Sequence, residues 1–197
     1  MDENAAPVSV EPVPEPPYVY HYYLRPRPKV VVKRDLLPSL GVLLTTFAFG
    51  LPAAYVWSWL APAQLKIVSP QDGKFYPVGV ESYHRLDALM VFVLIGLGAG
   101  AVTGIAVWLL RQRRGPVVML AMTAGSFAAA WFAQWLGGSL AAARYPMPPT
   151  VNPNDTVLVA PVFETWWGIL AWPLAAALAY GCCTAWNGLD DLGRRLG

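Results

Sequence analysis

Charged side chains are scarce in this sequence, and they are distributed unevenly. Asp, Glu, Lys and Arg make up 13% of the residues, whereas hydrophobic residues reach 56%. A soluble domain usually carries about 25% charged residues. The formal net charge of +2 is too small to indicate nucleic-acid binding. The composition therefore disfavours a soluble enzyme or a nucleic-acid-binding domain.

Metal-ligating side chains are also few. The two cysteines, Cys182 and Cys183, are adjacent, so they provide neither a disulfide framework nor a tetrahedral zinc site. Glu81, His84 and Asp87 follow one another at three-residue spacing, and Glu-x-x-His is half of a di-iron site. The second Glu-x-x-His that such a site requires is missing from the sequence. We therefore predict no metal site, no cofactor and no catalytic residues.

Four blocks of the chain contain no charged residue at all, at 36–60, 88–110, 116–143 and 166–189. About 20 apolar residues at about 1.5 Å each cross the roughly 30 Å hydrocarbon core of a bilayer. Four buried helices of a soluble protein would leave too little polar chain to cover them, and continuous apolar runs are not typical of strands. The sequence predicts an all-α membrane protein with an antiparallel bundle of four transmembrane helices.

The basic residues predict the orientation of this bundle. Ten of the fourteen flank one side, namely Arg25, Arg27, Lys29, Lys33, Arg34, Arg111, Arg113, Arg114, Arg194 and Arg195. The other side has Lys66, Lys74, Arg85 and Arg144. Because basic residues concentrate in cytoplasmic loops, both termini are expected in the cytoplasm of a plasma-membrane, multi-pass protein. About 35 residues precede the first block, which favours an uncleaved signal anchor over a cleaved signal peptide.

Tryptophans lie near the ends of these blocks, as expected for side chains at a membrane interface. Those near the predicted outer boundary are Trp57, Trp59, Trp135, Trp166 and Trp167, and those near the inner one are Trp108 and Trp186.

The segments outside the membrane differ in character. Residues 1–35 form a predicted cytoplasmic tail, which is Pro-rich and acidic to residue 17 and therefore expected to be disordered. A tyrosine-rich, basic stretch follows and suits the headgroup surface, with partner docking as the alternative. Residues 190–197 form a second cytoplasmic tail.

The outer loops, 61–87 and 144–165, contain β-prone runs. Asp72-Gly73 between two such runs predicts a hairpin, and 156–159 predicts a further strand. Pro77 weakens the second run as a strand. We expect the two loops to form a small β-containing cap.

Small residues recur at four-residue spacing in the middle two blocks. They are Gly96, Gly100 and Gly104 in the second block, and Ala121, Gly125, Ala129, Ala133 and Gly137 in the third. Small residues at this spacing form a ridge on which another helix can pack closely within a membrane. Because a short turn joins these two blocks, they are predicted to be antiparallel packing partners.

Within the blocks, polar residues are neutral. The absence of an intramembrane charge weakens ion-coupled transport as a function. Gln134 is expected to hydrogen-bond to another helix, and Gln134, Asp87 and Glu164 could form a polar cleft opening outward. Pro52 and Pro173 are expected to kink the first and fourth blocks.

The sequence resembles a family of small actinobacterial membrane proteins of unknown function. The resemblance extends over about residues 40–185 and rests on Gly50-Leu51-Pro52, Trp57, Trp59, Glu81-Ser82, Asp87, the glycine-rich second block and the run from Arg111 to Pro116. It implies four membrane spans and an actinobacterial plasma membrane. It implies no activity, catalytic residue or cofactor.

The sequence favours a non-enzymatic accessory or scaffold protein in the lipid bilayer. Its expected partner is another membrane protein or a second copy of the chain, and no nucleic acid is expected. The alternative is a small transporter or lipid-binding protein with an outward-facing cleft.

Overall fold

The computed structural model describes residues 32–78, 83–110, 114–163 and 165–187, without the side chains of 32–35 and 83–85. Four of its helical segments are long and apolar enough to cross a membrane, at Leu36–Leu60, Leu86–Leu109, Pro116–Arg144 and Trp167–Trp186. These are called here the first to fourth spans, and their lengths agree closely with the predicted blocks. The predicted tails at 1–31 and 190–197, the side chains of Glu81 and His84, and the arginine turn at 111–113 lie outside the described residues.

The first span consists of two helices, α1 (Val32–Ala48) and α2 (Gly50–Leu60). The break between them falls at Phe49, three residues before Pro52. Proline has no backbone N–H and its ring crowds the carbonyl four residues earlier, which is Ala48 here. The interruption expected at Pro52 is therefore present.

The remaining spans are more regular. The second span lies in α3 (Tyr83–Leu109) and the third is α4 (Pro116–Arg144). The fourth begins as a 3₁₀ helix (Trp167–Leu170) and continues as α5 (Ala171–Trp186). Pro173 is the third residue of α5, and the change from 3₁₀ to α-helix falls three residues before it. The irregularity of the fourth span is therefore a change of helix type in the turn that precedes Pro173.

The glycine ridge of α3 packs against α5. A Cβ atom on Gly100 would lie 2.5 Å from the carbonyl oxygen of Trp172, and one on Gly104 would lie 2.5 Å from that of Ala176. A Cβ atom on Gly96 would lie 3.3 Å from the Cβ atom of Ala171 and 3.3 Å from the backbone nitrogen of Trp172. The predicted pairing of α3 with α4 is therefore wrong. A short turn brings two helix ends together, but the close backbone contact of α3 is with the fourth span.

The small residues of α4 face the first span instead. A Cβ atom on Gly125 would lie 2.8 Å from the carbonyl oxygen of Leu43, and one on Gly137 would lie 2.9 Å from the ring of Trp57. Across the contact, Gly50 of α2 lies equally close to the carbonyl oxygen of Ala129. Ala133 is also buried, while Ala121 is half-buried. The first span thus pairs with α4, and glycine is needed on both sides of the contact.

A three-stranded antiparallel sheet lies at one end of the bundle, called here the sheet end. Its strands are β1 (Gln64–Val68), β2 (Phe75–Pro77) and β3 (Thr156–Val159), in the order β2-β1-β3. Ile67 pairs with Tyr76 on one side and with Thr156 on the other. The predicted hairpin and third strand are present, and Pro77 is tolerated because β2 is an edge strand.

Trp57 anchors the core beneath the sheet. Its ring is fully buried, stacks on Phe163 at 4.0 Å between centroids, and meets Phe92 edge-on at 6.4 Å. Its indole N–H donates to the carbonyl oxygen of Ala88 at 2.9 Å. Trp57 thus faces the core of the bundle rather than its outer surface, and its predicted depth near the outer boundary stays a prediction. By contrast, Trp59, Trp135, Trp166 and Trp167 are more than half exposed.

Candidate functional site: an apolar groove between the first and second spans

A groove with a cavity volume of about 660 Å³ runs between the first span and α3. The residues on the first-span side are Pro38, Gly41, Val42, Thr45, Thr46, Phe49, Pro52, Ala53 and Val56. Those on the other side are Ile95, Ala99, Val102, Thr103, Ala106, Val107 and Leu110. This volume lies within the range of about 300–1,000 Å³ typical of small-molecule sites.

The groove exists because each wall packs against a different neighbour. α1 packs on α4 through Gly125, whereas α3 packs on α5 through Gly100 and Gly104. Near the sheet end, the hydrogen bond from Trp57 to Ala88 joins α2 to the start of α3. Farther along, the walls are held apart from Ile95 to Leu110, a length of about 22 Å at about 1.5 Å per residue.

Trp172 of α5 lies at the base of the groove. Its side chain is 2% exposed, and its indole N–H lies 3.4 Å from the hydroxyl oxygen of Thr103. The Thr103 hydroxyl donates in turn to the carbonyl oxygen of Ala99 at 2.7 Å. On the opposite wall, the Thr45 hydroxyl donates to the carbonyl oxygen of Gly41 at 2.7 Å. These two threonine hydroxyls already donate to carbonyls of their own helices, so they offer little to a polar ligand.

The chemistry of the groove follows from its lining. Among the described residues that line it, none carries a titratable group, so they supply no general acid, general base or ionic ligand. Valine, alanine, proline, isoleucine and leucine side chains instead favour contact with hydrocarbon. The arrangement suits a flexible apolar chain rather than a charged or sugar-like solute.

A second concave surface surrounds Gln134 on the exposed face of α4, away from the core of the bundle. Phe127, Trp131, Trp135, Trp166 and Ile169 line it with Gln134, and its cavity volume is about 570 Å³. The Gln134 side chain is half-buried. Within the described part of the chain, its amide makes no hydrogen bond. The helix-to-helix hydrogen bond expected of Gln134 is therefore not made there.

The predicted polar cleft is not assembled by the described residues. Asp87 is exposed near the start of α3 and does not line the surface that contains Gln134. Glu164 lies outside the described residues, so its part in the cleft stays a prediction. Within the described ranges, no three His, Cys, Asp or Glu side chains are grouped closely enough to hold a metal ion.

The apolar groove was not identified from the sequence. Small residues and threonines do recur on its walls, and Gly41 and Thr45 are four residues apart on one helix face. The same pattern is equally typical of a packed helix contact. Only the positions of the neighbouring helices show that these residues border open space.

Comparison with known proteins finds a family but no activity. The sequence profile of a family described as "Protein of unknown function (DUF2567)" matches residues 46–194. The chain is also 31% identical over 192 residues to the uncharacterized protein ML1222 of Mycobacterium leprae (strain TN), which covers 87% of this chain and 91% of that protein. No solved structure matches the chain. The resemblance to an actinobacterial family of unknown function is thus confirmed.

Proposed function

Because the chain belongs to the DUF2567 family, whose function is unknown, we propose a function from its own geometry. The protein is a multi-pass membrane protein that binds a lipid acyl chain in the groove between its first and second spans. The observation that carries this proposal is the groove itself, with a volume of about 660 Å³, an apolar lining and a length of about 22 Å.

The surroundings of the groove support an acyl chain as its ligand. Both walls belong to helices that are apolar enough to cross a membrane, so the medium outside the groove is lipid rather than water. Leu44, Val102 and Leu109 on or beside the walls are each more than half exposed. Because lipid tails outside the groove are as apolar as its lining, an acyl chain is held there by close van der Waals packing rather than by transfer from water.

The basic residues support an orientation with both termini in the cytoplasm. In that orientation the sheet end lies on the outer side of the membrane, and the Leu110 end of the groove lies toward the cytoplasm. A reporter fused after Gly197 should be active only if it is of a type that functions in the cytoplasm. Activity of an export-dependent reporter at the same position would contradict this orientation.

The lipid that stays with the protein tests the proposed function. The purified chain is reconstituted into phosphatidylcholine vesicles, extracted in mild detergent and weighed by native mass spectrometry. The wild-type chain should retain phosphatidylcholine. Gly41→Phe should retain roughly tenfold less, because a ring at this position occupies the space of the acyl chain and removes about ten carbon–carbon contacts of about 0.1–0.2 kcal/mol each.

Gly98→Phe is the matched control for Gly41→Phe. Gly41 and Gly98 are both exposed helix glycines whose added Cβ would meet nothing within 4 Å, but only Gly41 lines the groove. The control should retain lipid as the wild-type chain does. Equal retention by Gly41→Phe and Gly98→Phe would show that the bound lipid is not in the groove.

A further inference from the structure

The groove between the first span and α3 is closed at one end. Near the sheet end, α3 packs against α2, and the buried rings of Trp57 and Phe92 meet edge-on at 6.4 Å between centroids. The hydrogen bond from Trp57 to the carbonyl oxygen of Ala88 joins the same two helices. The last residues that line the groove before these rings are Val56 and Ile95. The groove therefore ends at Val56 and Ile95.

The opposite end of the groove is open. In the described ranges α1 and α3 are scarcely in contact, because α1 packs on α4 and α3 packs on α5. The lining continues to Pro38 and Leu110, and Leu110 is 47% exposed. Leu110 is also the last residue of the charge-free block at 88–110. The open end of the groove thus coincides with the end of the apolar part of the second span.

The two ends suit different parts of a lipid. The closed end is lined by Ala53, Val56 and Ile95, whose side chains carry no polar atom. The ester and phosphate oxygens of a lipid placed there would lack hydrogen-bond partners, whereas a terminal methyl group needs none. The lining therefore favours a chain whose methyl end lies at the closed end and whose ester end lies toward Leu110.

The dimensions of the groove match one extended chain. Carbon–carbon bonds of about 1.52 Å at angles of about 111° advance an extended chain by about 1.25 Å per carbon. The length of about 22 Å from Ile95 to Leu110 therefore accommodates about 18 carbons. If each methylene group takes up roughly the 30 Å³ of a water molecule in the liquid, this chain fills about 540 Å³ of the 660 Å³ cavity. Length and volume thus both fit a single chain, and a second one does not fit.

We propose that the groove is selective for chain length and takes a single extended acyl chain of about 18 carbons, with its methyl end at Val56 and Ile95 and its ester end at Pro38 and Leu110. This selectivity rests on the proposed acyl-chain function and adds to it the length and the direction of the chain. A shorter chain forgoes contacts with the wall at the closed end, and carbons in excess of about 18 find no further wall to contact.

A competition between lipids of different chain length tests the proposal. The purified full chain is reconstituted into vesicles that contain equal amounts of phosphatidylcholines with chains of about 12, 18 and 22 carbons, extracted in mild detergent and weighed by native mass spectrometry. The 18-carbon lipid should be retained roughly tenfold more than the 12-carbon lipid, which lacks the contacts of about six carbons. The 22-carbon lipid should show no further gain. Equal retention of all three, or retention that rises up to the longest chain, would overturn the proposal.

Val56→Trp fills the closed end of the groove. Val56 is 43% exposed, so the larger ring extends into the groove rather than into the core. The variant should retain the 18-carbon lipid only as well as the 12-carbon lipid, whose retention should stay as in the wild type. Leu51→Trp is the matched control, because Leu51 lies on the same helix, is 55% exposed and does not line the groove. It should keep the wild-type selectivity, and thermal unfolding in detergent verifies that both variants fold.

Gly41→Phe separates this proposal from the proposed function. Gly41 lies one turn from Pro38 near the open end, so a ring there should lower the retention of all three lipids alike. Uniform loss in Val56→Trp together with length-dependent loss in Gly41→Phe would show a chain of the opposite direction and overturn the proposal. Uniform loss in Gly41→Phe without any length selectivity in the wild type would refute the selectivity and leave the groove function intact. Unchanged retention of every lipid in Gly41→Phe would refute both.

Discussion

Two arginines occupy matching positions at opposite ends of the bundle. At the sheet end, the Arg144 guanidinium donates to the carbonyl oxygen of Ser58 at 2.8 Å and lies 4.4 Å from the centroid of the Trp59 ring. At the other end, Arg114 donates to the carbonyl oxygen of Trp108 at 2.9 Å and lies 3.8 Å from the centroid of that ring. Both carbonyls belong to the last turn of a helix, where they lack intrahelical donors.

Arg114 therefore stabilises the end of α3, in addition to indicating the orientation of the bundle through its charge. Its side chain is only 8% exposed, so it is packed within the end of the bundle. The Tyr180 ring meets the Trp108 ring edge-on at 5.5 Å, and the Tyr180 hydroxyl accepts a hydrogen bond from the Gly115 backbone N–H at 3.2 Å. An arginine is suited to this position because its planar group stacks on tryptophan while its N–H groups donate to a carbonyl.

At the residue scale, Gly100→Ala tests the packing of α3 on α5. The added methyl group would lie 2.5 Å from the Trp172 carbonyl oxygen and 2.7 Å from Ala175. Overpacking of this kind costs about 1–3 kcal/mol. Gly98→Ala, two residues away on the open face, should instead leave stability unchanged or raise it by up to about 1 kcal/mol through helix propensity. Thermal unfolding in detergent measures both variants, and equal shifts would contradict the assigned packing.

At the scale of elements, the positions of the helices were predictable from the sequence and their pairing was not. Absence of charge over a length that crosses a membrane is a property of one segment, so the four spans could be found one at a time. Pairing depends on how two backbones fit. The ridge of Gly100 and Gly104 fits the backbone of α5 at Trp172 and Ala176, which no spacing within α3 reveals.

The groove and the burial of Trp57 escaped prediction for a related reason. A tryptophan near the end of a span has the same sequence signature whether it faces lipid or the core. Trp57 is buried because Ala88 provides an acceptor for its N–H and Phe163 provides a stacking surface. The hairpin was easier to predict because its signal is local: Gly73 adopts a φ of 65°, which Asp-Gly turns favour.

The hairpin turn should be sensitive to acid. The Tyr76 hydroxyl donates to the Asp72 carboxylate at 2.8 Å, and the Lys74 backbone N–H donates to it at 3.2 Å. These hydrogen bonds lower the pKa of the exposed Asp72 side chain, and the one from Tyr76 has the largest effect. Because the folded pKa is depressed, the contribution to stability is present above the ordinary pKa of aspartate and is lost as the pH falls through the lowered one.

An NMR titration of the full chain in detergent measures this effect. The Asp72 carboxyl should titrate below the ordinary aspartate range, and Tyr76→Phe should raise its pKa toward that range. An unchanged Asp72 titration in Tyr76→Phe would show that the hydrogen bond from Tyr76 is not formed in solution.

At the scale of the whole molecule, the four spans form a ring with one open seam. The first span packs on α4, α4 and α3 both pack on α5, and the seam between α3 and the first span holds the groove. The sheet joins the two loops at one end, since β1 and β2 belong to the first loop and β3 to the second. The chain thus combines fixed contacts at the sheet end with a lateral opening farther along the bundle.

The most direct test of the acyl-chain site is an electron cryomicroscopy structure of the protein in phosphatidylcholine nanodiscs. The expected result is elongated density between the first span and α3, running along Val102 and Ala106 with Trp172 at its base. Such density should be absent in Gly41→Phe and present in Gly98→Phe. A structure in which α1 closes directly onto α3, leaving no room for a chain, would contradict the proposed function.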